Sequence, residues 1–385
     1  MLKGNIKMKT LMVIIDGLGD EKIKDLSMKT PFEASKHPNI DKIATNGIKS
    51  KINICGDDFI PESLGCILRM LGVSAEEFPK NRACLELLAQ KIEISNSEMA
   101  LRANLVSIDD KGNLISFNSM GLSDFEKDEA CNLVSAINNE VSFIHLSSYK
   151  NTIVLKKRKK ICSEFEIKPP HESVGENYFV LIKELIENNS TIKKFLEDST
   201  KVLEKFSRNG VSYRIYPWGP SERTELRSFY DRFKLKGAMV CDAEIVKGIA
   251  IALGMKIEDL NFSTGDYDTN LIEKADKALV ALKDNDFVVT HFNGTDELSH
   301  RYDYKGKVKM LERIDKEFFK KIINECKEPV KIWISGDHGT SSITGKHLKE
   351  PVPYVAGVIN GKNTIDLKNA KEYEDVQDFV FGRRD

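Results

Sequence analysis

Two kinds of hydrophobic pattern alternate along the chain. Thr10–Ile15 (TLMVII) is almost wholly apolar and stops at Asp16-Gly17. A run without polar alternation suits a parallel strand covered on both faces. Pro31 to Asn46 reads as helical turns interrupted at Pro38, and Glu62 to Leu71 as a helix start with Ser63 near its N-terminus. Further on, the pattern predicts a helix ending over Ile249–Met255 and a strand at Asp286–His291 (DFVVTH). A long helix over Lys305–Ile323 follows, then a strand at Val330–Ser335 (VKIWIS) that runs into Gly336-Asp337-His338. Strands that end in acidic or histidine residues and alternate with helices predict a doubly wound α/β sheet, with ligands at the carboxyl ends of the strands. Between about residues 79 and 221 the pattern changes. Arg102–Ile108 and Asn113–Phe117 read as a hairpin turning at Asp109-Asp110-Lys111-Gly112, mixed with helices. The expected organisation is a discontinuous α/β core, residues 1–78 and 222–385, carrying an inserted α+β domain at 79–221.

Composition narrows the function classes. The 385 residues are 41% hydrophobic and 30% charged, with a formal net charge of −1. That is an ordinary globular balance, and it lacks the basic excess a nucleic-acid partner calls for. The basic run Lys156 to Lys160 reads as a solvated loop or strand end. The seven cysteines (Cys55, Cys66, Cys84, Cys131, Cys162, Cys241, Cys326) form no CxxC pair, which points to free thiols in a reducing cytoplasm. The apolar run at Leu11–Ile15 is too short for a signal sequence or a membrane span. No nucleic-acid or membrane partner is expected. Oligomeric state leaves no mark in the pattern.

Three stretches carry chemistry. VIIDGLGD places Asp16 after a strand. FNGTDELSH places Asp296 and His300 four residues apart, on one side of a helix. SGDHGTSSITGKH supplies Asp337, His338 and His347. Asp, His and a hydroxyl together suit Mn²⁺, Zn²⁺ or Mg²⁺ rather than a soft metal. Each stretch has a plain alternative: a turn-forming Asp, a surface Asp–His pair, an exposed His. Four of the seven histidines fall in the last quarter of the chain, three of them within these stretches. The fourth, His291, ends a strand and reads as a core residue or as a support for a ligand.

In their order along the chain these stretches resemble the alkaline-phosphatase superfamily, and most closely the archaeal-type cofactor-independent phosphoglycerate mutases. KTPFEASKHPNIDKIATNG (Lys29–Gly47), LKGAMVCDAEIVKGIAIALGM (Leu235–Met255), STGDYDTN (Ser263–Asn270) and KEPVPY (Lys349–Tyr354) extend the likeness over the whole chain. The resemblance implies an alkaline-phosphatase-like core and two divalent metal ions. It assigns Asp16, Ser63, Asp337 and His338 to one ion, and Asp296, His300 and His347 to the other. It makes Ser63 the nucleophile of a phosphoserine intermediate, although a serine at a helix start also reads as an N-cap. It implies a small phosphorylated substrate gripped by Arg82, Arg102, Asn104 and His171 of the insert, with Lys236 from the core.

The departures fall on the substrate side. Where the mutases carry roughly PGSD-x-A-H-L around the nucleophile, this chain has Pro61-Glu62-Ser63-Leu64-Gly65-Cys66-Ile67-Leu68. An Ala-Gly-His segment is replaced by Met120-Gly121-Leu122, and a Tyr-Arg-His segment by Tyr149-Lys150-Asn151. Three readings follow: a phosphoglycerate mutase, a related phosphotransferase or phosphatase on another small hydroxylated substrate (homoserine-kinase-like, for instance), and a non-catalytic binding module. There is no GxxxxGK[ST] loop, so a nucleotide would have to use the metal site.

Overall fold

The computed structural model describes residues 8–56, 61–137, 140–156, 167–362, 367 and 369–382. Most of the basic run, Lys157 to Lys160, and Cys162 lie outside the described residues. The chain divides into two compact units, Met1–Phe78 with Leu226–Asp385, and Pro79–Glu225.

The first unit is built on a seven-stranded sheet. Its strands in chain order are β1 (Lys9–Ile15), β2 (Gly47–Ile52), β3 (Gly237–Val240), β4 (Lys256–Ile257), β5 (Phe287–Phe292), β6 (Val330–Ser335) and β7 (Val352–Ile359). In space they run β2-β7-β6-β1-β5-β3-β4. From β6 to β4 the pairings are parallel, and β7 runs antiparallel to both β6 and β2. The expected doubly wound core therefore carries an antiparallel margin. β1, β5 and β6 are buried nearly end to end, which explains their unbroken apolar runs.

Register positions the site. Ile15 lies beside Phe292, and Ile14 lies between His291 and Ser335. The loops after β1, β5 and β6 thus leave the sheet along one edge. The helix Leu271–Asp284 covers the sheet through Leu271, Ala275, Ala278 and Leu282, spaced along one face. The long helix expected over Lys305–Ile323 is interrupted. It runs as Tyr304–Arg313, a π-helical stretch at Ile314–Phe319, and Lys320–Glu325. Within the π stretch, the buried Asp315 carboxylate accepts the backbone N–H groups of Asn39 (2.9 Å) and Ile40 (2.8 Å), satisfying the start of the helix Pro38–Thr45.

The second unit is an antiparallel sheet with helices. Its central strand, Glu98–Ile108, pairs with Lys150–Lys156 and Ser212–Glu222, and Lys150–Lys156 pairs in turn with Val141–Ser147. The expected hairpin is present but small: Leu114–Ser116 meets only the end of the central strand. Its turn is held by Asp109, whose Oδ1 accepts from the N–H of Lys111 and of Asn113. The helix Ser190–Leu203 packs Ile192, Phe195, Leu196 and Leu203 into this core. Among the described residues no helix is long and apolar enough to cross a membrane.

Candidate metal centre

Asp16 is the first residue after β1, and Gly17 follows at φ +64°. A Cβ on Gly17 would come within 2.8 Å of Asp296 Oδ1 and Thr340 Oγ1, so only glycine lets the Asp16 loop pass this close. Asp337 and His338 follow β6. Asp296 and His300 lie on the helix Gly294–His300, which starts just after β5. His347 comes from the short strand His347–Leu348, paired with Gly339–Thr340.

These residues converge. Asp16, Asp337 and His338 present ligand atoms within 4.8 Å of one another, and so do Asp296, His338 and His347. His338 is shared: its Nε2 lies 3.4 Å from Asp16 Oδ1 and 3.5 Å from Asp337 Oδ2, and its ring stacks on His347 at 4.1 Å. His300 joins the second group, with its Nε2 3.1 Å from Asp296 Oδ2 and 3.3 Å from His347 Nε2. The resemblance divides the ligands into two separate sets; the geometry makes one continuous cluster with His338 at its centre.

Ser63 is brought to the same place. Its Oγ lies 3.4 Å from Asp16 Oδ2 and 3.3 Å from His338 Nε2. It is the first residue of the helix Ser63–Met70, whose N-cap is Glu62, so the capping alternative is not the one adopted. His291 is wholly buried, and its Nε2–H donates to Asp16 Oδ2 at 3.2 Å. That matches its reading as a support for a ligand.

The donor set fits a cation. Asp16 Oδ1 and Asp337 Oδ2 are buried and have no hydrogen-bond partner. Two such oxygens facing each other without a counter-ion are costly in a desolvated site. The imidazoles tell the same story from the other side. His347 Nδ1–H donates to Pro61 O (2.6 Å) and His300 Nδ1–H to Gly345 O (2.8 Å), which leaves both Nε2 lone pairs facing inward. The two Nε2 atoms lie 3.3 Å apart, and that of His300 carries a proton toward Asp296 Oδ2 unless a metal takes its place.

Without an ion the charges are frustrated. Burial raises the Asp16 carboxyl well above its ordinary value, and the charges of Asp337 and Asp296 raise it further. Burial also raises Asp296, but its hydrogen bond to His300 and the charges of His338, His300 and His347 outweigh this and leave it below the usual range. The bond to Asp296 lifts His300 to about 9. Burial lowers His347, and His291 falls to about 4 for the same reason. A divalent ion in each group would satisfy the carboxylates of Asp16 and Asp337 in one and the imidazoles of His300 and His347 in the other.

Comparison with known proteins agrees with this chemistry. The model of the metalloenzyme superfamily matches residues 8–380. A 2,3-bisphosphoglycerate-independent phosphoglycerate mutase of Pyrococcus horikoshii is 30% identical over 388 residues, covering 96% of this chain and 92% of its own. The chain belongs to the metalloenzyme superfamily, among the 2,3-bisphosphoglycerate-independent phosphoglycerate mutases. A Methanothermobacter thermautotrophicus member of that family is 26% identical, with the same coverages. A solved Pyrococcus horikoshii protein shares the fold at a TM-score of 0.74 and 26% identity, over 96% of this chain and 92% of that one. A cofactor-independent phosphoglycerate mutase from Thermoplasma acidophilum shares it at 0.59 and 19% identity, over 97% and 99%.

Four of the five residues expected to grip substrate in this metalloenzyme gather in the second unit. Arg102 sits over the ring of Trp218, its guanidinium 4.2 Å from the ring centre, and Trp218 Nε1–H donates to Asn104 Oδ1 at 2.9 Å. His171 meets the edges of Phe117 and Trp218, each at 6.2 Å. Arg82 and Arg102 bind one buried carboxylate, Glu86, at 2.7 and 3.0 Å. Neither Glu86 nor Trp218 stands out in the sequence, because an isolated Glu in a helical run and a Trp in a strand carry no motif.

Lys236, the fifth, lies apart from the candidate metal ligands. It precedes β3, and its backbone meets Asp286, which precedes β5. It is exposed at the amino edge of the sheet, roughly 17 Å of strand away from the carboxyl edge where Asp16 and Asp337 lie. Parallel strands place all their starts on one side and all their ends on the other.

Proposed function

We propose that the protein interconverts 3-phosphoglycerate and 2-phosphoglycerate through a phosphoserine at Ser63, with two divalent ions. The observation that carries this reading is the Ser63 hydroxyl, held between Asp16 and His338 beside two unpartnered carboxylate oxygens. Asp16, Asp337 and His338 would hold one ion, and Asp296, His300 and His347 the other, with His338 between them. The ions supply Lewis acidity that neutralises phosphoryl charge and favours the ionised hydroxyl. Asp16 and His338 orient Oγ, and its proton leaves to solvent or to the departing glycerate oxygen. The N–H groups at the start of the helix Ser63–Met70 face the incoming anion. The phosphoryl group moves from a glycerate oxygen to Oγ; that oxygen takes a proton, and the reverse step delivers the group to the neighbouring hydroxyl. Arg102, stacked on Trp218, is shaped to pair with a carboxylate.

A phosphotransferase or phosphatase acting on another small hydroxylated substrate is the second reading. Its support is local: Leu64 and Ile67, which replace polar family residues, are 4% and 0% exposed. Phosphorus NMR with 3-phosphoglycerate and Mn²⁺, and no bisphosphoglycerate, separates the two. The mutase yields 2-phosphoglycerate without free phosphate. Free phosphate alone, or no reaction, overturns the glycerate assignment. Chelation is expected to stop turnover reversibly, with Mn²⁺ among the restoring ions; full activity in excess chelator excludes the two-metal mechanism.

A further inference from the structure

We propose that Lys307 and Asp20, outside both ligand sets, are positioning residues that lock together the two loops carrying the metal ligands. The Lys307 side chain is wholly buried, which is costly for an ammonium group unless every donor is used. All three donors are used. Nζ donates to Asp20 Oδ2 at 2.8 Å, to Thr340 O at 3.0 Å and to Gly19 O at 3.3 Å. Asp20 in turn accepts from Ser342: N–H to Oδ1 at 3.0 Å, and Oγ–H to Oδ2 at 2.6 Å.

These bonds join three segments distant in sequence. Gly19 and Asp20 belong to the loop after β1 that begins with Asp16. Thr340 and Ser342 belong to the loop after β6 that begins with Asp337 and His338. Lys307 comes from the helix Tyr304–Arg313, which follows the helix bearing Asp296 and His300. The links then reach the ligands. Thr340 N–H donates to Gly19 O at 2.9 Å, and Thr340 Oγ1–H donates to Asp296 Oδ1 at 2.5 Å. Gly17 N–H reaches Asp337 Oδ1 at 3.3 Å. With Oδ1 engaged by Thr340, Asp296 turns Oδ2 toward His300. The buried ammonium is thus two hydrogen bonds from the Asp296 carboxylate. A buried ion pair of this kind adds geometric definition rather than net stability.

This inference rests on the metal-holding reading of the ligands, and its test separates the two. Mn²⁺ is titrated calorimetrically into metal-free wild-type protein, into the double variant Asp20→Leu/Lys307→Met, and into Asp20→Asn, well below the unfolding temperature. The double variant removes both charges and keeps the site apolar, so no lone buried charge remains. Asp20→Asn keeps the size of the side chain and, through its amide oxygen, the bond from Ser342 N–H, and it serves as the readout should the double variant fail to fold. The expected result is Mn²⁺ affinity at least tenfold weaker in the folded variants, with kcat reduced, KM little changed and partial recovery in excess Mn²⁺. Wild-type protein that takes up no Mn²⁺ overturns the metal reading itself. Wild-type and variant proteins that bind Mn²⁺ equally well overturn the positioning role alone.

Discussion

Ser63→Ala is expected to lower turnover by at least about 10,000-fold, the scale seen when a covalent nucleophile is removed. The side chain is half-buried, and its hydroxyl makes two long contacts, 3.4 Å to Asp16 and 3.3 Å to His338. Removing it deletes one oxygen and leaves no sizeable cavity. Stability should fall by only about 1 kcal/mol, and the unfolding temperature by a few degrees. The helix Ser63–Met70 keeps its start, because Ser63 is not the cap. Phosphorus NMR with 3-phosphoglycerate, alongside thermal unfolding, checks both halves. A folded Ser63→Ala protein that retains activity within tenfold of wild type refutes the phosphoserine route.

Asp337→Asn is expected to cost about 1,000-fold in turnover, the equivalent of several kcal/mol of transition-state charge stabilisation. It should also change the response to metal. Asp16 is held above its ordinary value first by burial and then by the Asp337 charge. A carboxyl raised in the folded state costs stability as the pH rises above its unfolded value, so the setting of Asp16 destabilises the metal-free protein above the ordinary carboxylate range. The substitution removes one cause of that strain, while the amide oxygen it leaves in place can still accept from Gly17 and His338 as Asp337 Oδ1 does. The metal-free variant should therefore unfold at the same or a higher temperature than metal-free wild type. Wild type at a Mn²⁺ concentration about 100 times its dissociation constant gains about 2.7 kcal/mol. The variant should lose most of that gain. Thermal unfolding with Mn²⁺ and with chelator measures both effects, and a variant stabilised by Mn²⁺ as strongly as wild type removes Asp337 from the ligand set.

The parts of the fold legible in the sequence share one property: local composition decides them. β1, β5 and β6 are covered on both faces, so their residues must be apolar without alternation, and each declares itself. The break at Pro38 follows from the helix-starting preference of proline. The interruption at Ile314–Phe319 was not legible. Asp315 turns inward there to satisfy residues 39 and 40, and nothing near Asp315 in the chain announces that need. The antiparallel course of β7 between β6 and β2 was equally hidden, since strand direction is a property of the pair.

The same division runs through the site. The sequence by itself determined the kinds of candidate ligand present: Asp16, Asp337 and His338 lie just after buried strands and Asp296 and His300 share one short helix, while His347 lies on a short strand of its own. Only the tertiary structure decided how the ligands share the space: His338 central to both groups, His291 behind Asp16, and Lys307 spanning loops that begin at Asp16 and Asp337. It also gathered Arg82 and Arg102 onto Glu86 and placed Lys236 at the far edge of the sheet. The physical reason is that parallel strands joined by long crossovers align residues hundreds of positions apart through register and packing, and those terms have no local signature in the chain.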